Sequence, residues 1–279
     1  MLSKEELIGV YDETLNCINK NKYKSLSGKE IALPTKTLIN GSRFYRKVMP
    51  AKPERLKTFK NPKIYVENID TLEKAKTMGQ RVAVLNMASF SNPGGGVARG
   101  SRAQEEELCR RTNLLLSLYL FHEDLYSEVG YESCDEKYHY PIPALGGIYT
   151  PDVTVFRDKD DYEYLNNPFK IAVISVPGVK YPTVDSGTGL MSDKDAKFAK
   201  LKIMSILRMA QVHNKTKLVL GALGCGAFKC PPKHMALLFK EVLEMPEFKN
   251  HFEEICFAIL DDHNSPSGGN YQPFKEVFS

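Results

Sequence analysis

Short apolar runs separated by stretches of helical periodicity recur through most of this chain, and that alternation restricts the fold more than any other feature. Residues 82–86 (Val-Ala-Val-Leu-Asn), 171–176 (Ile-Ala-Val-Ile-Ser-Val) and 217–222 read as strands buried on both faces, because polar residues do not alternate within them. Residues 63–69 and 254–260 add further strands. Helical spacing marks 71–79, 104–121, 194–213, 232–244 and 270–279; within 104–121, Leu108, Leu115, Leu118 and Tyr119 cluster on one face. Strands alternating with helices imply an α/β fold with a mostly parallel sheet covered on both sides. Residues 122–168 predict loops, interrupted at Pro141, Pro143, Gly146 and Gly147, with one strand near 153–156.

The chain opens with Ser3-x-x-Glu6 ahead of Leu7, Ile8, Tyr11, Leu15 and Ile18, a capping box leading into an amphipathic helix. Residues 20–60 are polar, basic and irregular apart from Ile31-Ala32-Leu33. The expected organisation is an N-terminal extension, 1–60, wrapped onto a core of 61–279.

Composition excludes several classes. No apolar run approaches the roughly 18 residues that span a bilayer, and the charged N-terminus lacks the layout of a signal peptide. The cysteines at 17, 109, 134, 225, 230 and 256 form no CxxC pair, so they read as reduced cytoplasmic thiols; no metal is expected. A net charge of +4 with no basic stripe gives no reason to expect direct nucleic-acid binding. No heptad is present, and a monomer is expected.

Two loops leave strand ends with compositions suited to chemistry. In open α/β sheets, ligands bind beyond the carboxyl ends of strands. The first loop runs from Asn86 through Asn92-Pro93-Gly94-Gly95-Gly96 to Gln104-Glu105-Glu106. Consecutive glycines let the backbone approach a ligand closely and turn N–H groups toward an anion. The helix expected from 104 sets both carboxylates beside that loop. Either motif alone is more often a plain turn with acids at a helix start; the spacing, after a buried strand, turns the balance toward function. The second loop, Gly221-Ala-Leu-Gly224-Cys225-Gly226-Ala227-Phe228, suits a diphosphate held by backbone N–H groups. Phe228 serves equally as a core residue or a ribose contact.

Together these segments resemble the GGG-x(6–8)-QEE signature of poly(ADP-ribose) glycohydrolases of the microbial type. Tyr149-Thr150-Pro151-Asp152-Val153-Thr154-Val155-Phe156-Arg157 is similar to that family's Y-[ST]-P-x-V-x-x-F-R segment. Gly221–Phe228 is similar to its diphosphate loop, and 257–274 to its last strand and tail. The resemblance implies a macrodomain-like three-layer α/β/α sandwich with a mixed central sheet, ADP-ribose or poly(ADP-ribose) on ADP-ribosylated targets as ligand, and no cofactor. It places Glu106 as general acid/base and Glu105 on the ribose. Asn92, Gly94, Gly95, Gly96, Gln104, Gly224, Cys225, Gly226, Ala227 and Phe228 would contact substrate. Two segments depart from the family pattern, Pro177-Gly178-Val179-Lys180 and Lys229-Cys230-Pro231-Pro232. Both flank the site and bear on substrate preference.

The chemistry implied is cleavage of a ribose–ribose O-glycosidic bond, or a related ADP-ribosyl linkage. It needs a proton for the leaving oxygen and stabilisation of an oxocarbenium-like centre. A non-catalytic ADP-ribose reader is the principal alternative, and the paired glutamates argue against it. Reading Gly221-x-x-Gly224-x-Gly226 as a dinucleotide fingerprint would make an oxidoreductase, but it lies late in the chain rather than after a first strand. Arg99, Arg102, Arg110 and Arg111 surround the glutamates and are expected as solvated charges or as polyanion steering groups.

Overall fold

The computed structural model describes residues 2–51, 58–133, 139–261 and 265–279. Cys134 and parts of the regions expected as extension (20–60), loop (122–168) and tail (257–274) lie outside the described residues. Helix α1 (Lys4–Lys20) begins at the anticipated box: the Ser3 N–H donates to Glu6 Oε2 (2.6 Å) and the Glu6 N–H to Ser3 Oγ (3.1 Å). The region expected to be irregular holds a two-stranded hairpin, β1 (Lys22–Lys24) and β2 (Glu30–Ala32), a short helix α2 (Lys36–Gly41), and β3 (Arg43–Tyr45). These elements are too short for periodicity to reveal.

The remaining strands are β4 (Lys63–Glu67), β5 (Val82–Met87), β6 (Gly147–Arg157), β7 (Tyr164–Val176), β8 (Lys217–Leu220) and β9 (Glu254–Ala258). With β3 they form a seven-stranded sheet in the order β3-β6-β7-β5-β8-β9-β4. The pairs from β7 across to β4 are parallel, while β3–β6 and β6–β7 are antiparallel. The sheet is therefore mixed.

β6 and β7 are much longer than sequence periodicity suggests. A register shift between Thr150 and Val153 accommodates Pro151 and Asp152, the latter at φ 52°, and this irregularity hides the strand from pattern reading.

The expected helix 104–121 is two helices, α4 (Gln104–Arg111) and α5 (Leu114–Leu120), which follow α3 (Thr71–Met78). Thr112 is extended and bridges Val155. The Asn113 N–H donates to the Thr154 carbonyl (3.2 Å), and Asn113 Oδ1 accepts from the Thr154 N–H (2.7 Å). Sheet-type pairing to β6 thus outcompetes helix continuation at two residues of low helix propensity.

Successive residues of each central strand face opposite layers. Ala83, Leu85, Ile174, Val176, Leu218 and Leu220 pack under α6 (Asp193–Val212), α7 (Pro232–Leu243) and α8 (Tyr271–Phe278). Val82, Val84, Val173 and Val219 face α3, α4 and α5. The result is three layers with a core on each side of the sheet. No helix among the described residues is long and apolar enough to cross a membrane.

Candidate active site

The site forms where β5 ends and α4 begins. The Gln104 side chain fixes this junction: its Nε2 donates to the Leu85 carbonyl (2.6 Å) and its Oε1 accepts from the Met87 N–H (2.9 Å). Its amide thus continues the β5 hydrogen-bond pattern, and Gln104 positions α4 rather than presenting a free amide to ligand. The two residues that follow then point their carboxylates back under the glycine loop.

Glu105 is 4% exposed and Glu106 is 7% exposed. Glu106 Oε1 accepts from the Gly96 N–H (2.8 Å). Glu105 Oε2 accepts from the Ser89 N–H (2.6 Å), while its Oε1 accepts from Asn86 Nδ2 and the Gly94 N–H, both at 3.3 Å. Burial pushes the Glu105 carboxyl up to about 8, with the neighbouring Glu106 adding to the effect; the donors from Ser89, Asn86 and Gly94 pull the other way. Glu107 turns outward, accepting from the Tyr162 hydroxyl and pairing with Arg110. Among the three glutamates, the glycine loop encloses only the first two.

At Gly95 any side chain would displace a glutamate or the loop. The Gly95 φ is +62°, and a Cβ there would lie 2.5 Å from Glu106 Oε1 and 3.2 Å from Glu105 Oε2. The loop closes on the carboxylates because no side chain intervenes. Asn92 is exposed at the mouth of this loop, where its carbonyl accepts from the Gly95 N–H (2.8 Å).

The second loop follows β8. Cys225 is buried beneath it, its thiol pushed well up by burial, and it is spent on packing and a contact with the Leu223 carbonyl. Gly224, Gly226 and Phe228 are half-buried, and Ala227 is exposed. A Cβ on Gly178, in the segment after β7, would lie 2.8 Å from Gly224 Cα and 3.3 Å from Phe228 Cδ2. The segment after β7 thus touches the second loop directly.

Two arginines expected on the surface are not there. Arg110 is fully buried, bound to the Ser101 and Leu7 carbonyls and to Glu107. Arg111 is buried against Asp70 (2.9 Å) and Glu73 (3.3 Å). Arg102 donates to the Leu2 carbonyl, and only Arg99 of the four is exposed. Asn86 escaped the sequence reading as a site residue. It is fully buried, and it links Glu105 to Ser175 on β7 (3.0 Å). A polar residue ending an otherwise apolar strand is the signal that could have found it. The five described cysteines are free, and no cluster of three or more potential metal ligands exists among the described residues.

An α/β/α fold in which a central strand runs into a glycine loop closed over two buried carboxylates on the next helix defines a class of proteins built for acid/base chemistry on a ligand held at the strand ends. Comparison with known proteins specifies the member: residues 12–158 match the family described as microbial-type PARG, catalytic domain, and the chain belongs to that family of glycohydrolases. Poly(ADP-ribose) glycohydrolase from Thermomonospora curvata, bound to the inhibitor ADP-HPD, superimposes with a TM-score of 0.78 at 28% identity, covering 98% of this chain and 100% of that one. The enzyme from Deinococcus radiodurans in complex with ADP-ribose gives 0.68 at 28% identity, covering 89% and 99%. No curated protein matches the chain in sequence.

Proposed function

We propose that this chain hydrolyses the ribose–ribose O-glycosidic bond of poly(ADP-ribose) to release ADP-ribose, with Glu106 as general acid/base. The observation that carries the residue assignment is the Gly96 N–H donating to one Glu106 oxygen. That bond leaves the other oxygen of a residue at the glycine loop to face ligand. In the first step the Glu106 proton goes to the departing 2′-oxygen of the neighbouring unit as the anomeric C–O bond breaks. Water then adds to the oxocarbenium-like carbon and returns a proton to Glu106.

Glu105 acts on the same ribose. The Glu105 carboxyl has about four hydrogen-bonding positions, and three are filled by donors from Ser89, Asn86 and Gly94, so one remains for a ribose hydroxyl, serving as an O–H donor while burial keeps the group protonated and as an acceptor once it ionises. Gly94, Gly95 and Gly96 bring backbone against the ligand. Gly224, Gly226, Ala227 and Phe228 cover diphosphate and ribose, with Cys225 supporting them from below. Residues 1–60 are read as an extension built onto a 61–279 catalytic core. Scattered cysteines, free at all five described positions, support a cytoplasmic location, and the chain is read as a monomer that binds its substrate's ADP-ribosyl units rather than nucleic acid.

The test is release of ADP-ribose from poly(ADP-ribose) by wild type and Glu106→Ala. A loss of about 10³-fold or more in kcat with ADP-ribose binding retained is expected, in keeping with removal of an acid/base that also stabilises the transition state. Tight ADP-ribose binding by a wild type that releases nothing from the polymer would sink the reading and favour a reader.

A further inference from the structure

We propose that Lys180, Tyr181 and Lys229 form a subsite for the leaving part of the substrate, taking the adenine nucleotide of the next ADP-ribosyl unit, with its purine on the Tyr181 ring and its phosphates on the two ammonium groups. The inference rests on the glycohydrolase reading above and goes beyond it to what lies outside the cleaved bond.

The argument begins with sheet order. β8 lies on one side of β5 and β7 on the other. With diphosphate over the loop after β8 and the scissile ribose over the loop after β5, the group beyond the ribose passes over the end of β7. The chain leaving β7 runs Pro177-Gly178-Val179-Lys180-Tyr181, and it lies against the second loop at Gly178–Gly224. The Tyr181 N–H donates to the Phe228 carbonyl (2.8 Å), which sets Tyr181 beside Phe228 and Lys229. The two segments where this sequence departs from its family's pattern therefore meet at one place, beside Phe228.

The chemistry of that place is specific. Tyr181 is 64% exposed, and the Lys180 ammonium lies 5.5 Å from its ring centre. Lys180 and Lys229 are exposed, and neither has a carboxylate within ion-pair distance among the described residues. The nearby acids are engaged with their own loop. Asp185 Oδ1 accepts from the Gly187 and Thr188 N–H groups, and Asp195 Oδ2 accepts from the Thr183 N–H and the Ser192 hydroxyl. Further tethers hold the segment, including the Met191 N–H on His234 Nδ1 (2.8 Å). An exposed aromatic ring on a tethered backbone, with one face open and two cations beside it that have no ion-pair partner among the described residues, suits an anionic, base-bearing unit, since bases stack on aromatic rings and phosphates draw ammonium groups. A second ADP-ribosyl unit supplies both.

The test uses the full chain with two substrates: poly(ADP-ribose), and an acetyl ester of ADP-ribose whose leaving group is too small to reach Tyr181. For Tyr181→Ala and for Lys180→Glu combined with Lys229→Glu, KM for the polymer should rise about fivefold or more, the range that loss of one stacked base gives. Hydrolysis of the ester and the Kd for ADP-ribose should stay within about twofold, which also shows that the variants fold. Unchanged polymer KM, or equal losses on both substrates, would overturn the subsite and leave the glycohydrolase reading standing. A wild type that cleaves the ester but not the polymer would remove both.

Discussion

Gly95→Ala tests whether the glycine loop sets the position of the reacting carboxylate. An alanine at φ +62° costs about 1 kcal/mol from the left-handed backbone alone. Its methyl carbon would sit 2.5 Å from Glu106 Oε1 and 3.1 Å from Cδ, so the carboxylate or the loop must retreat by about 1 Å to reach ordinary contact. The 2.8 Å bond from the Gly96 N–H to the same oxygen then stretches beyond hydrogen-bond range. Lost buried hydrogen bonding adds about 1–3 kcal/mol, for a total destabilisation of about 2–4 kcal/mol. A displacement of this size at a reacting group costs about 10²-fold in rate. The assay pairs urea unfolding with kcat and KM for ADP-ribose release. The expected result is a kcat loss of about 10²-fold in a protein that remains folded at assay temperature. A variant with kcat within about threefold of wild type would refute the idea that contact between loop and carboxylate fixes the geometry.

Two further outcomes concern stability. Glu105 rises from an ordinary value of 4.5 to about 8 on folding, so the folded chain holds more protons than the unfolded one between those pH values. Its contribution is therefore fully present below pH 4.5 and is lost as pH rises through 8; Glu105→Gln should flatten that decline. The difference between the two proteins should change by up to about 5 kcal/mol across the window, read from urea midpoints at stepped pH; parallel pH profiles would contradict the assignment. Asp70 caps α3 through the Leu72 and Glu73 N–H groups while pairing with buried Arg111. Asp70→Ala should destabilise by about 3–5 kcal/mol, because it removes the carboxylate partner closest to a buried cation, and a loss under 1 kcal/mol would show that Glu73 alone suffices.

Elements whose residues all obey one period were legible in the sequence. β5, α6 and α7 fall within a residue or two of expectation, because buried strands and long amphipathic helices carry their pattern locally. The break at Thr112-Asn113 was not legible, since what stops the helix there is pairing with Thr154 and Val155, far along the chain. β3 was hidden for a similar reason: three residues become a strand only by joining β6. In the site, the glycines and glutamates could be read because their types and spacing are unusual. Asn86 offered only a polar residue ending an apolar strand as its signal, because its partner Ser175 lies 89 positions away. Arg110 and Arg111 show the opposite error, since charge on a helix was taken for solvent exposure although their partners lie on α1 and α3.

The docking of α1 has a consequence for how the chain is made. Thr14 Oγ donates to the Arg110 carbonyl (2.8 Å), Arg110 reaches back to the Leu7 carbonyl, and Arg157 binds Glu13 (2.8 Å). Every one of these partners is synthesised roughly a hundred residues or more after α1 itself. A growing chain emerges N-terminus first, so α1 must wait as a capped but unattached helix, its apolar face uncovered, while the central strands are still being produced. Contacts of such long sequence separation form late and slowly. A nascent chain that ends before Arg157 also lacks β7 and β8, the two neighbours of β5, so its glycine loop and carboxylates have no sheet end to sit on, and ribosome-bound intermediates of that length are where chaperone contact should concentrate.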